Sequence, residues 1–157
     1  MHKADIEKLE NMLVNQEKYK KLLCFREMEL QDTIKETIPS SKQNNDLQDP
    51  RTIRAQNNTS SVEAEVIKHH TDLQYQTLYS IVHNTPKYVE SLSRYERIIY
   101  DYRYRECDLS IYEWEDITVL LDEEAAKHNK SFSKSTTLRL RNRMLERYAE
   151  RIGYTMM

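Results

Sequence analysis

Apolar residues recur at helical spacing over most of the chain. From Ala4 to Glu36, Ile6, Leu9, Leu13, Leu23, Leu30 and Ile34 fall near a three-four rhythm. Met12, Tyr19 and Leu22 widen the stripe, so the pattern predicts one long amphipathic helix. Lys20 and Glu27 interrupt a strict heptad seam, which argues against a clean two-stranded coiled coil. Such a helix either joins two copies or packs on its own chain. Thr37 to Thr59 has no periodicity and contains Pro39, Pro50 and two Asn-Asn pairs, so it reads as loop or disorder.

Ser60 to His83 reads as a second helix, opened by a capping box of Ser60 and Glu63. Val62, Val66, Leu73 and Ile81 lie near one face, joined by Ile67 and Leu78. His69 and His70 are neighbours, about 100° apart on a helix, which is wrong for sharing one metal ion. Pro86 suits a first helical turn, so Thr85-Pro86 is expected to open the next element. A further capping box, Ser93 with Glu96, starts a helix whose core face is Tyr95, Ile98, Ile99 and Tyr102. Cys107 to Leu109 is a break. Ser110 is then expected to cap a helix from Ile111 to about Asn129, with Ile111, Trp114, Ile117 and Leu121 on one face. Lys130-Ser131-Phe132 is the turn, and Phe132 is positioned to plug the core.

The last helix has both ends marked. Ser133 is a good N-cap and Gly153 can adopt the left-handed conformation that closes a helix. Leu138, Leu145, Ala149 and Ile152 form its apolar stripe, with Met144 and Tyr148 along the flank. Arg139, Arg143, Arg147 and Arg151 recur every four residues on another face. Guanidinium groups in a row, with Ser135 and Thr136 at the helix start, suit phosphates and base edges. The four residues after Gly153 are expected to fray.

Composition sharpens this picture. In 157 residues there are one Gly and three Pro, and 32 % are charged, which suits long helices and argues against hairpins. Net charge is −2, yet it is segregated. Ser133 to Gly153 carries net +4, whereas Ser110 to Asn129 carries net −5. This local basic footprint is what a nucleic-acid partner requires, although one copy neutralises few phosphates. Cys24 and Cys107 have no metal or redox spacing and fit a reducing compartment. No run is long and apolar enough to span a membrane, and the N-terminus has no apolar signal core, so the expected location is cytoplasmic. No nucleophile sits beside a candidate base and there is no phosphate-cradling glycine loop, so no enzyme, no cofactor and no metal are expected.

Two helices, a turn with an apolar residue, then a capped helix with basic and hydroxyl residues at its start follow helix-turn-helix logic. Val89 to Ile99, Asp108-Leu109-Ser110, Phe132 to Thr137, and Leu145 to Gly153 resemble region 4 of bacterial sigma factors. The chain is more similar still to phage regulators of late transcription in the RinA and ArpU group. The resemblance implies an all-α fold, with N-terminal amphipathic helices joined by a polar loop to a C-terminal helix-turn-helix domain. It implies a division into 1–59, with a possible oligomerising role, and 60–157, with the sigma-like motif at about 93–153. The implied function is sequence-specific binding of double-stranded DNA by helix 133–152, in a transcription regulator, an activator, of phage or prophage late genes in a bacterial host. By position it makes Lys134, Ser135, Thr136, Arg139, Arg143 and Arg147 the DNA-binding set, and RNA polymerase and a second copy, through the N-terminal helix, the further partners. Arg141 falls in the apolar arc and reads as a boundary residue reaching outward. The segment Ser110 to Ser133 is longer than the family pattern by about two turns. Two other readings stand beside this one: a DNA-packaging protein of the small-terminase type, and a helical module that docks on polymerase without DNA affinity.

Overall fold

The computed structural model describes residues 1–37, 61–105 and 113–157, with the side chains of 34–37 and 61 excepted. Among these residues all regular structure is helical. The helices are α1 (Lys3–Val14), α2 (Gln16–Thr37), α3 (Ser61–Thr71), α4 (Leu73–Glu90), α5 (Arg94–Ile99), α6 (Trp114–Ala126) and α7 (Lys134–Ile152). The expected polar linker, the domain boundary at 59/60, the Ser60 cap and the break at Cys107 to Ser110 all lie outside the described residues. The chain forms two compact units, one of residues 1–20 and 80–157, the other of residues 21–79.

The larger unit is built around α7. Leu9 and Leu13 of α1, Ile81 and Tyr88 of α4, Ile99 of α5, and Ile117 and Leu121 of α6 are buried in one core with Met144, Leu145, Tyr148 and Ala149 of α7. Its buried tyrosines each find a polar partner for the hydroxyl, as buried phenols require. Tyr88 donates to the Met144 carbonyl at 2.6 Å, Tyr148 meets the Thr85 hydroxyl at 2.7 Å, and Tyr104 donates to Glu10 at 2.7 Å. Burial is the first cause that raises the pKa of each, to about 12 for Tyr148, so all three stay neutral donors at ordinary pH.

Several expected elements are cut differently. The single helix expected from Ala4 to Glu36 is broken at Asn15, whose φ and ψ are −95° and 41°. The Asn15 amide donates to Asn11 Oδ1 at 3.0 Å, and the Gln16 side chain takes the Met12 carbonyl. The Gln16 amide competes with the backbone ladder for that carbonyl, which apolar spacing alone does not register. Pro86 does not open a helix. It lies inside α4, where the Thr85 hydroxyl donates to the Ile81 carbonyl at 2.6 Å and Tyr88 anchors the far end in the core. Tertiary packing there outweighs the lost proline N–H.

Beyond α5 the coil widens into a π-helix, Tyr100–Tyr104, with Arg105 N–H bonded to the Tyr100 carbonyl at 2.9 Å. One extra residue per turn shifts the phase of the face. Tyr104 therefore takes the buried place expected for Tyr102, which is exposed. Tyr104→Phe should cost about 1–3 kcal/mol in urea unfolding, because the Glu10 carboxylate loses its buried donor. A loss within ~0.3 kcal/mol would show that water replaces the phenol. The chain's last residues are not simply frayed: Tyr154 donates to Asp5 Oδ1 at 2.9 Å.

The smaller unit contains most of α2, all of α3 and the start of α4. Leu23, Leu30 and Leu78 are its buried apolar residues among those described. Asp72 separates α3 from α4, where one helix was expected. Its carboxylate accepts the Tyr75 N–H at 2.6 Å and both Nε and Nη2 of Arg26. The Arg26 bonds, then the Tyr75 N–H, hold the Asp72 pKa below its ordinary value. Once the carboxylate is tied to a new helix start, α3 cannot run on in register.

Candidate nucleic-acid interface

The caps of α7 are local and complete. Ser133 accepts the Thr136 N–H at 3.3 Å. Gly153 sits at φ 73°, and Tyr154 N–H closes on the Ala149 carbonyl at 2.8 Å. The preceding turn is fixed by Asn129, left-handed at φ 56°, with Lys130 N–H on the Ala125 carbonyl at 3.0 Å. Phe132 N–H donates to Asp122 Oδ1 at 2.8 Å, and its ring packs on Tyr95 at 5.0 Å. Phe132 is thus half-buried against the core, and α7 leaves the turn in a defined place.

The core face of α7 runs through Thr137, Met144, Leu145, Tyr148, Ala149 and Ile152. It is rotated from the expected stripe: Leu138 is only half-buried, whereas Thr137 is fully buried. Thr137 can afford the position because its hydroxyl donates to the Ser133 carbonyl at 3.1 Å and accepts from Thr118 at 3.0 Å. Hydroxyl pairing across helices is invisible to a hydropathy pattern.

The opposite face presents Ser135, Thr136, Arg139 and Arg143, all exposed. Arg139 and Arg143 enter no ion pair among the described residues. The arginine row is not one face. A four-residue step overshoots a 3.6-residue turn by about 40°, so Arg147 stands roughly 80° round from Arg139, toward the core edge. There it donates to Glu96, whose side chain is 7 % exposed while that of Arg147 is 50 % exposed. Glu96 also accepts the Ser93 N–H at 2.9 Å, half of the α5 capping box. Burial pushes the Glu96 pKa up, but Arg147 and the Ser93 N–H outweigh it and the net shift is downward. Arg147, expected in the DNA-facing set, is therefore also the counter-ion of a buried carboxylate.

Lys134 is exposed and pairs with Glu115 at the start of α6. That pair, led by the hydrogen bond, lowers the Glu115 pKa. It is exposed and solvent-screened. The acidic surplus of α6 is partly absorbed within the unit: Glu124 pairs with Arg94 and Lys127, and Asp122 holds the turn. Arg141 reaches Trp114, with its guanidinium 5.2 Å from the ring, and Arg103 lies over the same indole at 4.9 Å. It braces α7 on α6 instead of extending away.

Glu96 and Trp114 are the residues that sequence reasoning undervalued as partners of this helix. The drift of the arginine row on a helical projection was the available signal for Glu96. For Trp114 there was none, because the two arginines come from separate elements.

Among the described residues no cluster of three or more acidic, His or Cys side chains could hold a metal ion, and no helix is long and apolar enough to cross a membrane. In comparisons with known proteins, no family model, no curated protein and no solved structure matches the chain.

Proposed function

We propose that the protein is a sequence-specific transcription regulator, an activator of phage or prophage late genes, that reads double-stranded DNA with α7. In this reading α6, the turn at 127–133 and α7 act as a helix-turn-helix. The observation that carries it is the division of α7 into two faces. One is locked in the core, and the other offers Ser135, Thr136, Arg139 and Arg143 to solvent. The α7 N-terminus adds a favourable dipole for a phosphate, beside Lys134 and Ser135. Arg139 and Arg143 reach base edges, whereas Lys134 serves phosphate. The exposed acids of α6 suit a basic surface of RNA polymerase as second partner, and the site works without cofactor or metal.

The test is a fluorescence-anisotropy titration of pooled random duplex DNA at two salt concentrations. Binding should weaken with salt, with a log–log slope of about −0.9 per phosphate contacted. Arg139→Ala/Arg143→Ala should lose at least about 30-fold in affinity, and Arg139→Ala alone should relax base preference. Lys134→Ala should weaken all sequences alike and reduce the slope by about 1. No binding by the wild type at low salt would overturn the DNA reading and make polymerase the first partner to test.

A further inference from the structure

Helix α2 is apolar on two sides. Leu23 and Leu30 are each 7 % exposed and face the interior of their unit. On the other side Leu22, Phe25 and Met28 are 40 %, 62 % and 54 % exposed. A helix buried on one face normally shows polar residues on the other, so three large apolar side chains there call for a cover. The same outer arc, about 120° wide at ~100° per residue, carries Lys18 and Lys21 before Phe25, and Glu29 and Asp32 after it. All four charged residues are exposed, and Glu29, 65 % exposed in its side chain, shares its carboxylate with Arg26 of its own chain at 2.8 Å.

The order of these residues identifies the occupant. In an antiparallel pair of α2 helices centred on Phe25, Phe25 meets Phe25 and Leu22 meets Met28 of the second copy. Lys21 then faces Glu29, and Lys18 faces Asp32, each twice by symmetry. In a parallel pair the same charges would meet like against like. A surface that complements itself under a two-fold axis is the requirement for an isologous dimer.

We infer that the exposed face of α2 is a homodimer interface in which two α2 helices cross antiparallel about Phe25. The inference does not rest on DNA binding. A single helix crossing covers less than the ~1,200 Å² of a standard interface, so the dimer is concentration-dependent. Each dimer carries two α7 helices, which offsets the small number of phosphates one copy neutralises.

Sedimentation equilibrium of the full chain without DNA tests it. The wild type should show a monomer–dimer equilibrium, and Phe25→Asp should be monomeric, with circular dichroism confirming unchanged helix content. Lys21→Glu should weaken the dimer about tenfold, and adding Glu29→Lys in the same chain should restore it to within about threefold. With both native cysteines changed to Ser, Phe25→Cys should cross-link on oxidation. Leu22→Cys should not, because its copies stand about 9 Å apart along the axis, beyond disulfide reach. A wild type that stays monomeric at every concentration overturns the inference. So does a dimer indifferent to Phe25→Asp, failure of the charge swap to rescue, or equal cross-linking at both positions.

Discussion

Arg147→Ala should lower unfolding stability by about 2 kcal/mol at neutral pH while leaving DNA affinity within about threefold of the wild type. The stability loss follows from what the substitution leaves behind. The Glu96 carboxylate is 7 % exposed in its side chain and would retain only its bonds from Ser93, with no cation beside it. Removing one partner of a fully buried ion pair costs about 3–5 kcal/mol. Arg147 is half solvated, so the pair is screened and the smaller figure is the right one. The affinity expectation follows from the engagement of Arg147 by Glu96 and from its place about 80° round the helix from Arg139.

The pH dependence of that loss has a definite sign. The folded Glu96 pKa lies below its ordinary value, because Arg147 and the Ser93 N–H outweigh the effect of burial. A depressed carboxylate stabilises the fold fully above its unfolded pKa. That stabilisation disappears as pH falls through the lower, folded one. The difference between wild type and Arg147→Ala in urea melts should therefore shrink toward zero well below pH ~4.3. Glu96→Gln should mimic the acid state at every pH, since its amide oxygen still accepts the Ser93 N–H. A difference that does not change with pH would refute the ion-pair account. A loss of DNA affinity as large as that of Arg143→Ala would show that Arg147 meets DNA as well as Glu96.

What could be read from the sequence divides along a physical line. The all-α class and both ends of α7 were legible, because helix caps are short-range chemistry. Ser133 supplies an acceptor within three residues, and Gly153 supplies the one backbone conformation a side chain resists. The breaks at Asn15 and Asp72 were not legible. Beside Asn15 the Gln16 amide wins the Met12 carbonyl, and at Asp72 the carboxylate wins the Tyr75 N–H, an outcome fixed by Arg26, distant in sequence. Pro86 misled for the converse reason, since a local start signal was overruled by the core around Tyr88. The π-helix moved burial from Tyr102 to Tyr104, and no periodicity template assumes an extra residue per turn. At the site, the exposure of Ser135, Thr136, Arg139 and Arg143 agrees with the helical projection. The engagement of Lys134 by Glu115 and of Arg147 by Glu96 needed the tertiary neighbours.

Leu145→Ala should cost about 4 kcal/mol and lower Tm by roughly 10–20 °C, yet leave DNA affinity unchanged at temperatures where the variant is folded. Leu145 is 0 % exposed and belongs to the face that ties α7 to the core. The loss combines the transfer of the missing carbons with the cavity they leave. Its neighbours Met144 and Tyr148 are held by hydrogen bonds through the Met144 carbonyl and the Tyr148 hydroxyl, so the site can collapse little. That places the cost in the upper part of the range for such substitutions. The Arg139→Ala/Arg143→Ala variant should do the reverse, with Tm within about 2 °C of the wild type, because both side chains are exposed. Thermal melts and titrations of the two variants side by side separate the faces of one helix. If Leu145→Ala weakened DNA binding in the folded state as much as the arginine pair did, the two faces would not be independent. The core would then be setting the reading geometry, and the assignment of α7 as a rigid reader would fail.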